Sequence, residues 1–156
     1  MSHGTQMTRH QAEGYIDTLR ALGSELHPCG SYRRGKALVG DLDVAVLTPD
    51  FGHYVAAAVD ALGADLVRGG EAMAVLHVGD HQIDLYRTEP RYLGAMLLFL
   101  TGSGEHNRKM RVKAKFSGKK LNQYGLWSLD GECLAAATET EIFERLNLKY
   151  KQPEER

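Results

Sequence analysis

Asp41 and Asp43 stand two residues apart in Gly40-Asp41-Leu42-Asp43-Val44, within a run that reads as a β-strand. Side chains at i and i+2 of a strand share a face, so both carboxylates point into one cleft. A third acid, Asp84, lies on the polar face of another alternating run, Gln82-Ile83-Asp84-Leu85-Tyr86. If the two strands are neighbours, about 4.8 Å apart, Asp84 joins the pair. Three clustered carboxylates repel one another unless cations neutralise them, and oxygen-only ligation predicts Mg²⁺, or Mn²⁺ in its place, rather than zinc. Just upstream runs Cys29-Gly30-Ser31-Tyr32-Arg33-Arg34. Gly30 and Ser31 predict a tight turn that offers backbone N–H groups to an anion, and the Arg34 guanidinium can grip phosphate through two donors. A phosphate turn beside metal-binding carboxylates predicts phosphate chemistry at a divalent cation.

The elements that carry these residues follow from pattern. Thr8 and Gln11 form a capping box ahead of an amphipathic helix whose Ala12, Tyr15, Ile16, Leu19 and Leu22 recur at helical spacing before Gly23. Arg9, in its first turn, is by default a solvated residue. Residues 25–29 predict a short strand that Pro28 confines to an edge. In the strand of residues 41–48, Leu42, Val44 and Val46 form an apolar face that must pack on helices, one of them residues 51–62, closed by Gly63. Strands at 72–78 and 81–87 join as a hairpin at Gly79-Asp80, with His77 and His81 flanking its tip as an exposed pair rather than a metal site.

Residues 91–100 predict an apolar helix ending at Thr101-Gly102, and Ser103 caps another running to about Phe116. Residues 105–120 hold Arg108, Lys109, Arg111, Lys113, Lys115, Lys119 and Lys120 against the single acid Glu105, a run one-sided enough to contact a phosphate backbone. Residues 121–137 predict a hairpin turning at Asp130-Gly131, with Trp127 and Leu129 packed. Thr138 with Glu141 opens a last helix that turns Ile142, Phe143 and Leu146 inward, and a mobile tail is expected beyond Pro153.

A chain of 156 residues has room for one compact unit, whole or split into two lobes, but not for several independent domains. The net charge of −1 rules out a general basic coat. Its distribution is more telling: residues 1–92 hold 8 basic against 12 acidic side chains, and residues 93–156 hold 11 against 8. An acidic metal-binding half is thus followed by a half suited to an anionic partner. Cys29 and Cys133 make no CxxC pattern and read as thiols in a reducing compartment. Without an apolar run long enough to span a bilayer, and without a signal-peptide pattern, the chain is expected to be soluble, intracellular and cytoplasmic, with no membrane partner.

Five stretches then carry a resemblance: Gly30-Ser31-Tyr32-Arg33-Arg34-Gly35, Gly40-Asp41-Leu42-Asp43, Ile83-Asp84-Leu85, Thr101-Gly102-Ser103 through Glu105-His106-Asn107, and Leu121-Asn122-Gln123-Tyr124-Gly125-Leu126. In this order and spacing, from Thr8 to Pro153, the chain resembles the family X DNA polymerases. The resemblance implies an α+β protein: a nucleotidyltransferase palm over residues 1–92, with a mixed or antiparallel sheet and helices on one face, then a small α/β thumb or fingers lobe over residues 93–156. It implies a DNA-directed DNA polymerase, a monomer that takes dNTP and acts on DNA primer–template or gapped DNA in repair. Asp41, Asp43 and Asp84 would hold two Mg²⁺ ions, with Mn²⁺ able to substitute. Gly30, Ser31, Arg34, Gly40, Arg9, Phe99, Gly102 and Asn107 would bind the nucleotide, and Lys109, Arg111, Lys113 and Lys115 the DNA. No lyase domain or helix-hairpin-helix segment is expected before the palm, an arrangement similar to the minimal viral members. Leu100 in place of a second aromatic, and Gln82 in place of a basic residue two before Asp84, depart from the family pattern. The alternatives are template-independent nucleotidyl transfer and a catalytically weak DNA-binding module.

Overall fold

Local signals at the start of the chain do what their chemistry dictates. Thr8 Oγ1 accepts from the Gln11 amide at 3.1 Å and Gln11 Oε1 accepts from the Thr8 amide at 2.9 Å. This reciprocal cap opens helix α1, Arg9–Arg20, which buries Ala12, Ile16 and Leu19. The computed structural model describes residues 4–156, so residues 1–3 of the expected first domain lie outside the described residues. The chain is α+β and divides into two units, residues 1–88 and 89–156.

In the first unit a short strand β1, Met7–Thr8, pairs antiparallel with β3, Leu38–Val39. The main sheet has five strands: β2 (Glu25–Pro28), β4 (Leu42–Leu47), β5 (Asp65–Gly69), β6 (Met73–Val78) and β7 (His81–Arg87). Their order is β2-β4-β7-β6-β5. β4 and β7 run parallel and every other pair is antiparallel, so the sheet is mixed. Proline has no amide to give a central ladder, and the strand ending at Pro28 lies at one edge. β5 forms the other edge and is exposed throughout. Its residues show no alternation that would announce a strand; pairing with β6 holds it.

Helix α3, Phe51–Leu62, is capped by Asp50, whose carboxylate accepts from the His53 amide at 3.0 Å. Together α1 and α3 cover one face of the sheet. Ala12, Ile16, Leu19, Tyr54, Val55 and Ala58 pack there against Leu42, Val44, Val46, Leu76, Ile83 and Leu85. Each such aliphatic side chain stabilises the fold by roughly 1.5–3 kcal/mol when fully buried. Because strand side chains alternate, that burial also fixes which residues face the other way, and Asp43 and Asp84 are among them.

The second unit starts with a 3₁₀ turn, Pro90–Tyr92, and helix α4, Leu93–Thr101. The Gly94 and Ala95 amides donate to Ala137 and Ala136 carbonyls at 3.0 and 2.9 Å, which ties the start of α4 to the loop before the last helix. Helix α5, Gly104–Phe116, is capped by Ser103. Strands β8 (Lys119–Asn122), β9 (Gly125–Ser128) and β10 (Cys133–Ala135) form an antiparallel sheet in the order β10-β9-β8. Helix α6, Glu139–Arg145, follows its Thr138 cap. Leu98, Met110, Ala114, Leu126, Ile142, Phe143 and Leu146 form the core of this unit.

Three expectations need correction here. The single hairpin of residues 121–137 is a three-stranded sheet with a second turn at Gln123-Tyr124, where Asn122 Oδ1 accepts from the Tyr124 amide at 2.9 Å and from Trp127 Nε1 at 3.2 Å. Leu129 is 81% exposed rather than packed, because it sits at the tip of the β9–β10 hairpin. The tail beyond Pro153 is anchored, not mobile. Residues Pro153–Glu155 form a 3₁₀ turn, and the Arg156 side chain is fully buried, paired with Glu139 and lying over the Phe143 and Tyr150 rings. A buried guanidinium requires such a counter-charge, and the aromatic faces add cation–π attraction.

Cys29 is buried, Cys133 is exposed, and neither forms a disulfide. Among the described residues no helix is long and apolar enough to cross a membrane.

Candidate active site

Parallel pairing of β4 with β7 sets Asp43 directly beside Asp84, flanked by Leu42 opposite Ile83 and Val44 opposite Leu85. Asp41 enters from the bend just before β4. The three acids interact. Burial first, then the Asp84 and Asp41 charges and a hydrogen bond with Asp84, push the Asp43 carboxyl up to about 8, with the Arg34 guanidinium working the other way. Asp84 is also raised, chiefly by burial, against the stabilising amide of Gln82. Asp41 Oδ1 is buried with no hydrogen-bond partner.

A buried oxygen without a donor, next to two carboxylates whose ionisation burial opposes, is a chemistry that suits a cation. As folded, no group of three or more His, Cys, Asp or Glu side chains among the described residues is gathered closely enough to hold a metal ion. Asp43 and Asp84 are nonetheless direct neighbours in the β4–β7 register, and the Asp41 charge reaches both. The donor set is oxygen-only and fits a hard divalent cation of the Mg²⁺ type, whose charge would offset the repulsion among the carboxylates.

The glycine-led turn lies against the same carboxylate. Residues Gly30–Arg33 form a single helical turn, α2, and the Cys29 amide donates to the Asp43 carbonyl at 2.7 Å, tying the turn to β4. Gly30 has φ +60°, and a Cβ there would come within 2.7 Å of Asp43 Oδ2. Only glycine fits this conformation and this approach together. Ser31 and Arg34 are half-buried on the turn, and Gly40 lies in the bend before Asp41. Arg9, a sequence candidate for nucleotide contact, is already engaged. Its Nη1 donates to the carbonyls of Tyr32 at 2.9 Å and Lys36 at 3.1 Å, and its guanidinium lies 4.2 Å from the Tyr32 ring centroid. In this structure Arg9 braces the turn from behind.

Within the second unit, Phe99, Asn107 and Arg111 come together. With Ala95, Leu98 and Leu121 they line a cleft of about 230 Å³. Asn107 Nδ2 donates to the Phe99 carbonyl at 2.8 Å, which leaves Asn107 Oδ1 buried and without a partner. Gly102, buried at φ +70°, makes the turn between α4 and α5. Along α5 the buried stripe is His106, Met110 and Ala114, so Lys109, Arg111, Lys113 and Lys115 are all exposed. Lys109 forms an ion pair with Glu105 at 3.3 Å, one turn away.

Sequence reasoning gave no site role to three residues at the acidic face. Tyr86 follows Asp84 by two positions, and burial with the three aspartates holds its hydroxyl far above the usual phenol range. Gln82 precedes Asp84 by two and donates to it, and His77 meets Gln82 across the β6–β7 hairpin. The period of two along β7 points to Gln82 and Tyr86, whereas His77 emerges only once the hairpin register is known.

The fold and site together define an α+β protein that sets an acidic cluster beside a glycine-led turn. The family described as DNA polymerase beta thumb matches residues 96–156. DNA polymerase lambda of Rattus norvegicus is 29% identical over 97% of this chain and 31% of its own length. DNA polymerase IV of Saccharomyces cerevisiae is 41% identical over 48% of this chain and 13% of its own, and DNA polymerase lambda of Arabidopsis thaliana 27% identical over 97% and 36%. The chain is thus similar to proteins named DNA polymerase lambda and DNA polymerase IV, and its second unit to the DNA polymerase beta thumb. It spans about a third of the length of the DNA polymerase lambda sequences.

Proposed function

We propose that the chain is a DNA-directed DNA polymerase that transfers dNMP from a dNTP to a primer 3′-hydroxyl, acting as a monomer on primer–template or gapped DNA in repair. The observation that carries this reading is the register that pairs Asp43 with Asp84, with Asp41 Oδ1 buried and unpartnered beside them. Relatedness to proteins named DNA polymerase lambda and DNA polymerase IV supports it. Residues 1–92 would serve as the palm and residues 93–156 as the thumb lobe.

Asp41, Asp43 and Asp84 would hold Mg²⁺, two ions in all, with Mn²⁺ able to substitute. When bound, the ions neutralise phosphate charge and make the primer hydroxyl more acidic. The Gly30, Ser31 and Gly40 backbone and the Arg34 guanidinium would bind the triphosphate, and Arg9 would keep the turn in shape for it. Phe99, Gly102 and Asn107 would contact the nucleotide. Lys109, Arg111, Lys113 and Lys115 would bind DNA phosphates. The bond formed joins the primer 3′ oxygen to the α-phosphorus and the bond broken is the α–β phosphoanhydride. Pyrophosphate leaves, and the hydroxyl proton is released to water.

Primer extension with Mg²⁺ on gapped, recessed and single-stranded primers tests the proposal. The expected result is template-matched incorporation that Asp43→Asn lowers by about 100- to 1,000-fold, the range for losing one group that stabilises transition-state charge. No incorporation on any primed template overturns it. Equal extension of single-stranded primers would mark template-independent transfer instead.

A further inference from the structure

On the acidic face one aspartate ends a short chain of side-chain contacts. Gln82 Nε2 donates to Asp84 Oδ1 at 3.0 Å, and Gln82 Oε1 lies 3.3 Å from His77 Nε2. Gln82 is only 6% exposed. The chemistry leaves one assignment. A carboxylate only accepts, so the NH₂ end of the amide must face Asp84; the oxygen end then faces His77, which must donate from Nε2. Reversing the amide would turn an oxygen toward Asp84 and lose that bond in a buried site, even if the imidazole changed tautomer to accept from the amide N–H.

Register explains why the three residues meet. His77 and Gln82 are directly opposed in the β6–β7 hairpin, and Gln82 and Asp84 are i and i+2 on β7, hence on one face. Arg34 is the cation whose charge reaches Asp43, whereas at Asp84 the stabilising contacts are the Gln82 amide, the Asp43 hydrogen bond and the more distant His77.

We propose that His77 and Gln82 are positioning residues for Asp84: His77 fixes the amide of Gln82, and the amide fixes the carboxylate plane in which Asp84 presents its remaining lone pairs to a divalent cation. This rests on the reading of Asp41, Asp43 and Asp84 as cation ligands. The neutral amide orients Asp84 without cancelling its charge. A cationic residue in the same place would compete with the metal for that charge.

The test is Mn²⁺ titration of the full chain followed by electron paramagnetic resonance, with no nucleotide or DNA present. Outer-shell partners typically contribute about 10–100-fold to metal affinity. Gln82→Met, similar in volume and unable to donate, is expected to weaken Mn²⁺ binding by about 10-fold or more, within that range. His77→Phe should weaken it by several-fold, and His77→Gln, which keeps a donor, should restore most of the loss. A second readout needs no metal: the Gln82 side-chain amide should give a slowly exchanging ¹H–¹⁵N NMR pair that is lost in His77→Phe and regained in His77→Gln. Wild-type Mn²⁺ binding that Asp84→Asn abolishes but Gln82→Met and His77→Phe leave unchanged overturns the relay alone. Absence of Mn²⁺ binding by a folded wild type overturns the relay together with the ligand reading beneath it.

Discussion

Gly30 and Gly63 offer a controlled experiment on how the turn serves the acidic cluster. Both glycines have φ +60°, a conformation that costs an L-residue roughly 1–2 kcal/mol. They differ in what an added methyl would meet. At Gly63 nothing lies within 4 Å, so Gly63→Ala carries the backbone term alone. At Gly30 the new Cβ would lie 2.7 Å from Asp43 Oδ2 and 3.6 Å from its Cγ, closer than van der Waals contact allows, so the carboxylate must withdraw by several tenths of an ångström. For a domain of 60–100 residues each kcal/mol lowers Tm by about 4–8 °C, so Gly63→Ala should lose several degrees and Gly30→Ala at least as much. Activity should separate them. Misplacing a reacting group by about 1 Å costs on the order of 100-fold, so the smaller shift at Asp43 should slow single-turnover primer extension by about 10-fold or more in Gly30→Ala. Gly63→Ala should extend at the wild-type rate under the same saturating Mg²⁺. Equal rates for the two variants would refute the idea that the closeness of the turn positions Asp43.

Two further outcomes follow from the second unit. Burial above all, with the nearby Arg156 and Lys151 charges, depresses the pKa of His106, against the opposing effects of Asn107 and Glu139. A base depressed by folding binds more protons when unfolded, so its contribution to stability is intact above about pH 6.5 and is lost as pH falls below that value. Thermal melts from pH 7.5 to 5 should therefore fall less steeply for His106→Gln than for the wild type, and parallel curves would contradict the assignment. Replacing Lys109, Lys113 and Lys115 together by alanine should lower the slope of log affinity for duplex DNA against log salt by about two to three, nearer two because Lys109 already pairs with Glu105. Fluorescence anisotropy across a salt series measures this, and an unchanged slope would place the DNA contact elsewhere.

Much of this arrangement is legible in the sequence, and the reasons differ residue by residue. The alternation of Leu42-Asp43-Val44 and Ile83-Asp84-Leu85 reports a sheet with one buried and one polar face, and the β4–β7 register bears it out. Caps at Thr8, Ser103 and Thr138 are legible because each is a local reaction between a hydroxyl and an amide three residues on. Strand β5 is not, since Asp65 to Gly69 lack a periodic pattern and owe their conformation to a neighbour. Arg9 is another long-range case: its partners are the carbonyls of Tyr32 and Lys36, which no spacing rule connects to position 9. The seat of Arg156 likewise depends on Glu139, Phe143 and Tyr150 meeting in space.

The shared register of β4 and β7 has a consequence for what a misfolded copy would look like. A slip of one residue would turn Asp43 or Asp84 into the core and bring Leu42, Val44, Ile83 or Leu85 out to water. Two or more aliphatic side chains at roughly 1.5–3 kcal/mol each, plus a buried unpaired carboxylate, rival the whole stability of a domain, about 5–15 kcal/mol. A half-correct sheet with a damaged acidic cluster is therefore not a state the chain can occupy. The hydrophobic face acts as an inspector of the polar one, and a copy that fails inspection exposes grease and is open to chaperones and proteases rather than persisting as a folded, silent decoy.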